Sequence, residues 1–233
     1  MKQFRARKGP FAERPYYELE EIERICAEEL RAVDLYPSEP RPIRIERFIE
    51  RRFKVTPSYE DLDLRTLGYT RFGPNGIEAV VISRALADSG TMGADRCLSA
   101  TLAHEAGHCL LHGHLFALEG SSSLFENSAH PTKILCRDGD VAGATTNQAY
   151  SGRWWEYQAN RAIGGLLLPR PLALQCVAEF LTKMGGLGIS ELPVARREEA
   201  ARRLAVVFEV NPVVARIRLD DLFPVRERGQ LTF

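Results

Sequence analysis

Two histidines and a glutamate lie close together in the stretch His-Glu-Ala-Gly-His at residues 104–108. Apolar residues recur around it at helical spacing, and on a helix two residues four positions apart project from one face. The ring nitrogens of His104 and His108 could therefore share one tetrahedral Zn²⁺. Glu105 lies about 100° around the helix, where it can accept a proton from an attacking water molecule. The pattern predicts a hydrolytic zinc site.

A catalytic zinc ion requires a third protein ligand and one open position. His114 has the spacing of the third ligand in metzincins, but Leu111 occupies the position where that arrangement needs a turn-forming glycine. Glu156 is the alternative, on a separate predicted helix as in gluzincin-like enzymes, and we favour it. Asn160, four residues later, would then hold a ligand histidine from the outer shell. Otherwise Glu156 is a solvated acid that the helix dipole favours.

Further polar residues surround these candidates. His112 is one helical turn beyond His108 and could orient that ring, although a histidine in a last helical turn is also favoured by the dipole alone. Four residues are candidate hydrogen-bond donors to a transition state, and the sequence does not select among them: His130, Tyr150, Arg153 and Tyr157.

Apolar spacing predicts mostly helices around a small sheet. The predicted helices cover residues 16–36, 45–53, 95–113, 154–168, 172–184, 196–208 and 212–222. The predicted strands cover residues 67–72 and 76–83, joined by a tight turn, with a short strand at 133–136. We expect Asp95 to cap the helix that carries the histidines and Gly113 to end it. Residues 114–153 would form a long irregular connection, and residues 185–188 would form a hinge. The strand at 77–82 could bind an extended peptide by strand addition.

These elements predict an α+β fold: a zincin-like metallopeptidase core, with a small, mostly antiparallel sheet plus the active-site helices, and N- and C-terminal helical flanks. We expect residues 1–188 to form the metallopeptidase domain with its N-terminal helices. Residues 189–233 would form a C-terminal helical hairpin that packs on this domain or docks a partner.

The amino-acid composition indicates an ordinary globular protein. The 233 residues are 45% hydrophobic and 27% charged, as in ordinary globular proteins, and 31 basic residues balance 31 acidic ones. The charge balance disfavours direct nucleic-acid binding. The sequence has no secretory signal and no apolar run of ~18 to 20 residues, so we expect a cytoplasmic protein without a membrane partner. Five scattered cysteines without a Cys-x-x-Cys pair predict reduced thiols, mostly in the core.

Two stretches of the chain resemble the ImmA/IrrE family of metallopeptidases. The first is His-Glu-Ala-Gly-His at 104–108, followed by Leu-Leu-His at 110–112; the second is Trp-Glu-Tyr-Gln-Ala-Asn at 155–160, followed by Leu-Leu-Leu-Pro at 166–169. The resemblance implies that Glu156 is the third zinc ligand. This sequence departs from the family in the 47 residues between His108 and Glu156, an unusually long spacer, and in Ala162, where phenylalanine is common.

The resemblance further implies a cytoplasmic zinc-dependent endopeptidase of bacteria or their phages. Its expected partner is a protein substrate, a helix-turn-helix repressor or antitoxin that it cleaves or inactivates. Zinc would polarise the scissile carbonyl, and Glu105 would pass a proton to the leaving amine.

The main competing hypothesis is a non-catalytic, zinc-carrying regulatory or DNA-binding protein. The segment around residues 209–212, with Arg216 and Arg218 after it, has the spacing of a helix-turn-helix. However, residues 191–233 contain eight basic and seven acidic residues, a net charge of only +1. A closed structural zinc site is a third hypothesis, but it gives Glu105 no role.

Overall fold

The computed structural model describes residues 2–5, 13–73, 76–122, 132–137, 154–184 and 189–224. Several predictions therefore lie outside the described residues. They are the turn residues 74–75, the greater part of the connection at 114–153, the hinge at 185–188, and the candidate donors His130, Tyr150 and Arg153.

Helices dominate the described residues, which also form one four-stranded sheet and two two-stranded sheets. The helices are α1 (Leu19–Ala32), α2 (Ile45–Phe53), α3 (Arg84–Ala87), α4 (Met92–Ser122), α5 (Trp154–Leu167), α6 (Arg170–Cys176), α7 (Arg197–Val207) and α8 (Pro212–Leu222). The strands are β1 (Lys2–Arg5), β2 (Glu13–Tyr16), β3 (Ser58–Glu60), β4 (Thr66–Gly73), β5 (Gly76–Ser83), β6 (Thr132–Arg137), β7 (Thr182–Met184) and β8 (Ile189–Glu191). The predicted α+β class is confirmed.

The helix that carries the histidines differs from its prediction at both ends. It begins at Met92, and the hydroxyl of Thr91, not Asp95, accepts a hydrogen bond from the Ala94 amide at 3.2 Å. It continues beyond Gly113 to Ser122. A single glycine costs a helix only about 1 kcal/mol, and the residues after Gly113 include strong helix formers, so the helix continues through it.

The predicted helix at 172–184 is also wrong in its second half. α6 ends at Cys176 and is followed by a 3₁₀ turn at Ala178–Phe180 and the strand Thr182–Met184, which pairs with Ile189–Glu191. Val177 and Phe180 are both buried, and the Phe180 amide donates to the Val177 carbonyl at 2.9 Å. The three-residue spacing of these apolar side chains suits a 3₁₀ turn.

The main sheet has the strand order β3-β5-β4-β6, with β3 parallel to β5 and the other two pairs antiparallel. The small, mostly antiparallel sheet is therefore as predicted, and β6 matches the short strand expected at 133–136. β3 pairs with β5 at Val81 to Ser83. It covers the C-terminal part of the β5 edge that the strand-addition hypothesis required to be free.

One hydrophobic core joins helices from the whole described chain. α1 and α5 contribute Cys26 and Leu166, and the C-terminal helices contribute Leu204 and Leu219. The free cysteines Cys26, Cys109 and Cys176 are buried, as predicted for reduced core thiols, and burial raises the pKa of Cys26 to about 12. None of the helices in the described ranges is long and apolar enough to cross a membrane.

α4 and α5 lie close together at Gly107. A Cβ atom added there would lie 2.8 Å from the Ala162 Cβ and 3.1 Å from the Ala159 carbonyl oxygen. The small residues Gly107, Ala159 and Ala162 therefore allow the two helices that carry the metal-site candidates to cross at short distance.

This crossing predicts opposite effects for two glycines of α4. Gly107→Ala introduces overpacking of about 1–3 kcal/mol. The matched control Gly113→Ala gains roughly 0.8–1 kcal/mol of helix propensity, because its added Cβ would lie at an ordinary 3.7 Å from Phe72. We expect the Gly107 variant to unfold at clearly lower denaturant concentration than the Gly113 variant. Equal midpoints would contradict the close crossing.

Candidate metal centre

The ligand atoms of His104, His108 and Glu156 face one another between α4 and α5. The two Nε2 atoms are 3.0 Å apart, and Glu156 Oε2 lies 3.2 Å from His104 Nε2 and 3.6 Å from His108 Nε2. Three ligands of a tetrahedral Zn²⁺ at about 2.0–2.2 Å are separated by about 3.3–3.6 Å. Three side chains far apart in sequence thus have nearly the spacing that such an ion requires.

All three side chains are buried. Both histidines are 0% exposed and Glu156 is 6% exposed, although it lies in the first turn of α5. The interpretation of Glu156 as a solvated acid at a helix start is therefore wrong. Burial raises the pKa of Glu156, but its contacts with His104 and His108 lower it more, so the group is held as a carboxylate. Two imidazoles and a carboxylate could hold a divalent metal ion.

Asn160 has the position predicted for it. His104 Nδ1 lies 2.9 Å from Asn160 Oδ1, one turn of α5 after Glu156. An amide oxygen accepts from N–H, so His104 carries a proton on Nδ1, which leaves Nε2 as the nitrogen that can bind an ion. Asn160 therefore fixes both the ring and its tautomer, the role that outer-shell partners have in metal sites.

His112 lies beside His108 in the cluster. Its Nδ1 lies 3.1 Å from Nδ1 of His108, and its Nε2 lies 3.0 Å from Oε1 of Gln158. Gln158 in turn donates from Nε2 to the carbonyl oxygen of Pro15 at 2.8 Å. Burial lowers the pKa of His112 well below its usual range, which keeps the ring neutral.

Glu105 is buried on α4, directly after the ligand His104. The hydroxyl of Thr70, on β4, donates to Glu105 Oε2 at 2.5 Å. Thr70 is itself 0% exposed. This contact ties Glu105 to the sheet.

Other candidates lie elsewhere. His114 is exposed on the continuous helix α4, so the metzincin arrangement is wrong for this chain. Tyr157 is 51% exposed, with the Arg161 guanidinium 5.0 Å from its ring centroid. Sequence patterns predict no role for Gln158 or Thr70. The one signal that could have indicated Gln158 is its place on α5, two residues after Glu156.

The arginines of the helix-turn-helix-like segment make intramolecular contacts. Arg216 binds Glu198 through two hydrogen bonds of 2.9 and 2.6 Å, and Arg197 binds Asp220 at 2.7 Å. Arg218 is completely buried. Cations that are paired or buried offer little to a phosphate backbone, which weakens the DNA-binding alternative.

Comparison of the chain with protein-family models and with curated proteins finds no match. The functional argument therefore depends on the chemistry of the site itself.

Proposed function

We propose that this chain is a cytoplasmic, zinc-dependent endopeptidase with a zincin-like core. The observation that carries the proposal is the buried cluster of His104, His108 and Glu156, with ligand atoms 3.0–3.6 Å apart. This donor set is that of catalytic zinc sites with two histidines and one glutamate, which keep a fourth position open.

Each residue of the site has a separate role in this proposal. His104, His108 and Glu156 would hold the ion, which would supply Lewis-acid polarisation of the scissile carbonyl and of the attacking water. Glu105 accepts the proton of the attacking water and delivers it to the leaving amine. Thr70 orients Glu105 through its hydroxyl, and Asn160 orients His104.

We infer a protein substrate, a helix-turn-helix repressor or antitoxin, from the sequence resemblance described above. The His-Glu-Ala-Gly-His stretch and the stretch containing Glu156 and Asn160, which carry that resemblance, are the two segments that meet in the cluster. A non-catalytic zinc protein would use the same three ligands, but it would have no use for a buried glutamate directly after the first of them.

Metal stoichiometry tests the proposal. Elemental analysis of protein purified without added metal should find one zinc ion per chain in the wild type. Glu156→Ala should weaken zinc binding by more than the 10–100-fold that is typical of losing an outer-shell partner, because it removes a ligand. Glu105→Gln, the control, should keep its zinc. A wild type that neither contains nor takes up zinc would remove the peptidase proposal.

A further inference from the structure

A continuous chain of hydrogen bonds runs from the backbone before α1 to the metal-site candidate His108. Its members are the Pro15 carbonyl, the Gln158 amide, the His112 ring and the His108 ring, at successive distances of 2.8, 3.0 and 3.1 Å. His112 is 0% exposed and Gln158 is 3% exposed. Water therefore has little access to replace a lost partner in this chain.

The donor and the acceptor of each hydrogen bond in this series follow from the Pro15 carbonyl. The Pro15 carbonyl can only accept, so Gln158 must turn its NH₂ group toward Pro15 and its oxygen toward His112. His112 must then donate from Nε2, and a neutral imidazole that donates from Nε2 accepts at Nδ1. The remaining contact, between the two Nδ1 atoms, needs a proton, and only His108 is left to supply it.

We propose that Gln158 and His112 are positioning residues that hold His108 in its Nδ1–H tautomer, so that its Nε2 lone pair faces the ion. This inference rests on the proposed zinc site and extends it. With Asn160 acting in the same way on His104, both histidines keep Nε2 as the nitrogen that can bind the ion beside Glu156. A ring flipped to the other tautomer would direct an N–H group at the ion and could not bind it.

Packing holds the His112 ring in the orientation that this role needs. Trp154 lies edge-on to His112, with the ring centroids 5.4 Å apart and an interplanar angle of 79°. Gln158 and Trp154 are both on α5, the helix that carries Glu156. α5 therefore contributes one ligand directly and orients both histidine ligands of α4, through Asn160 and through Gln158.

Nitrogen NMR on the metal-free wild type tests the tautomers without any substitution. Long-range proton–nitrogen correlation spectra distinguish Nδ1–H from Nε2–H imidazoles. We expect His108 to carry a proton on Nδ1 and His112 to be the Nε2–H tautomer. His112 protonated on Nδ1 would reverse the direction of the chain and overturn the inference.

Zinc affinity of matched variants provides the second test, measured by competition with a chelator. His112→Leu removes the acceptor for His108, and Gln158→Leu removes the group that fixes the tautomer of His112; each should weaken zinc binding by about 10–100-fold. His112→Asn places an amide oxygen near the position of the lost Nδ1 and should restore most of the affinity.

The outcomes separate this inference from the proposed function. If the wild type binds no zinc, the zinc site itself fails, and the tautomers remain readable by NMR. If the wild type binds zinc and the leucine and asparagine variants bind it equally well, only the positioning role fails. Thermal unfolding of each metal-free variant checks that it is folded; should His112→Leu not fold, the wild-type tautomers and Gln158→Leu decide.

Discussion

Replacing Glu105 by glutamine should abolish peptide hydrolysis and leave the zinc content unchanged. Glutamine has nearly the same shape as glutamate and can still accept the hydrogen bond from Thr70, but it cannot take a proton from water. General acid–base catalysis contributes about 10²–10⁴-fold to rates, and we expect a loss in that range. A proteome-derived peptide mixture, analysed by mass spectrometry for new termini after incubation with zinc-loaded protein, measures it without knowledge of the substrate.

Two controls make this result specific. Glu20→Gln, at an exposed position of α1, should cleave as the wild type does. Thr70→Val keeps the shape of the side chain but removes the hydroxyl that holds Glu105, so its activity should lie between that of the wild type and that of Glu105→Gln. Wild-type rates in Glu105→Gln would assign the proton transfer to another group and contradict the role of Glu105.

Removing the carboxylate of Glu23 should be among the most destabilising single changes in the described chain. Glu23, on α1, pairs with the completely buried Arg218 of α8 and, at 2.6 Å, with Arg170 of α6. Arg218 also donates to the Leu168 carbonyl at 2.9 Å. Glu23→Leu would leave Arg218 buried without this carboxylate, and breaking such a pair costs about 3–5 kcal/mol. Denaturant unfolding of the wild type and the variant measures the loss.

The double variant tests the reason for this loss. Adding Arg218→Met to Glu23→Leu removes the stranded cation and should recover part of the stability, because replacing a whole buried ion pair by apolar side chains is often nearly neutral. Glu198→Leu, which breaks the exposed pair with Arg216, is the matched control and should have a much smaller effect. Additive losses in the double variant would contradict the explanation.

Lowering the pH should remove the stability that the Glu23 carboxylate contributes. Burial raises the pKa of Glu23, but its bonds to Arg170 and Arg218 lower it further, so its pKa in the folded protein lies below the usual value of about 4.3. A lowered pKa stabilises the fold above the unfolded-state pKa, and the contribution is lost as the pH falls toward the folded-state pKa. The stability difference between the wild type and Glu23→Gln should therefore shrink below about pH 4.3.

The parts of the site that the sequence predicted are those with local spacing or a recognisable motif. His104 and His108 share a helix face, and Glu156 and Asn160 repeat the same four-residue spacing on α5. Gln158 had no such signal, because its partner His112 is 46 positions away and its other partner is the Pro15 carbonyl, which every residue type possesses. Thr70 was missed because β4 is buried on both faces near it, so alternation does not show which face it occupies.

The errors in the predicted fold also arise where the local sequence does not determine the structure. A local rule predicts a helix end at Gly113, but neighbouring helix formers and packing on the sheet outweigh one glycine. β3 has three residues, too few to show any period, and it is recognisable only from its pairing with Val81 to Ser83. The predicted division at residue 188 stays a prediction. Leu204 and Leu219, beyond that residue, lie in the same core as Cys26 and Leu166.

α4 and α5 both contribute side chains to the candidate ion site, so ion binding would also affect the stability of the protein and its abundance in the cell. An ion that binds only the native crossing stabilises it by RT ln(1 + [L]/Kd), about 2.7 kcal/mol when the free ion is at 100 times Kd. A change of 1–2 kcal/mol in stability alters the steady-state abundance of a protein in cells several-fold. With zinc as the proposed ion, zinc shortage would therefore lower the number of protein molecules by degradation as well as the fraction of them that carries the ion.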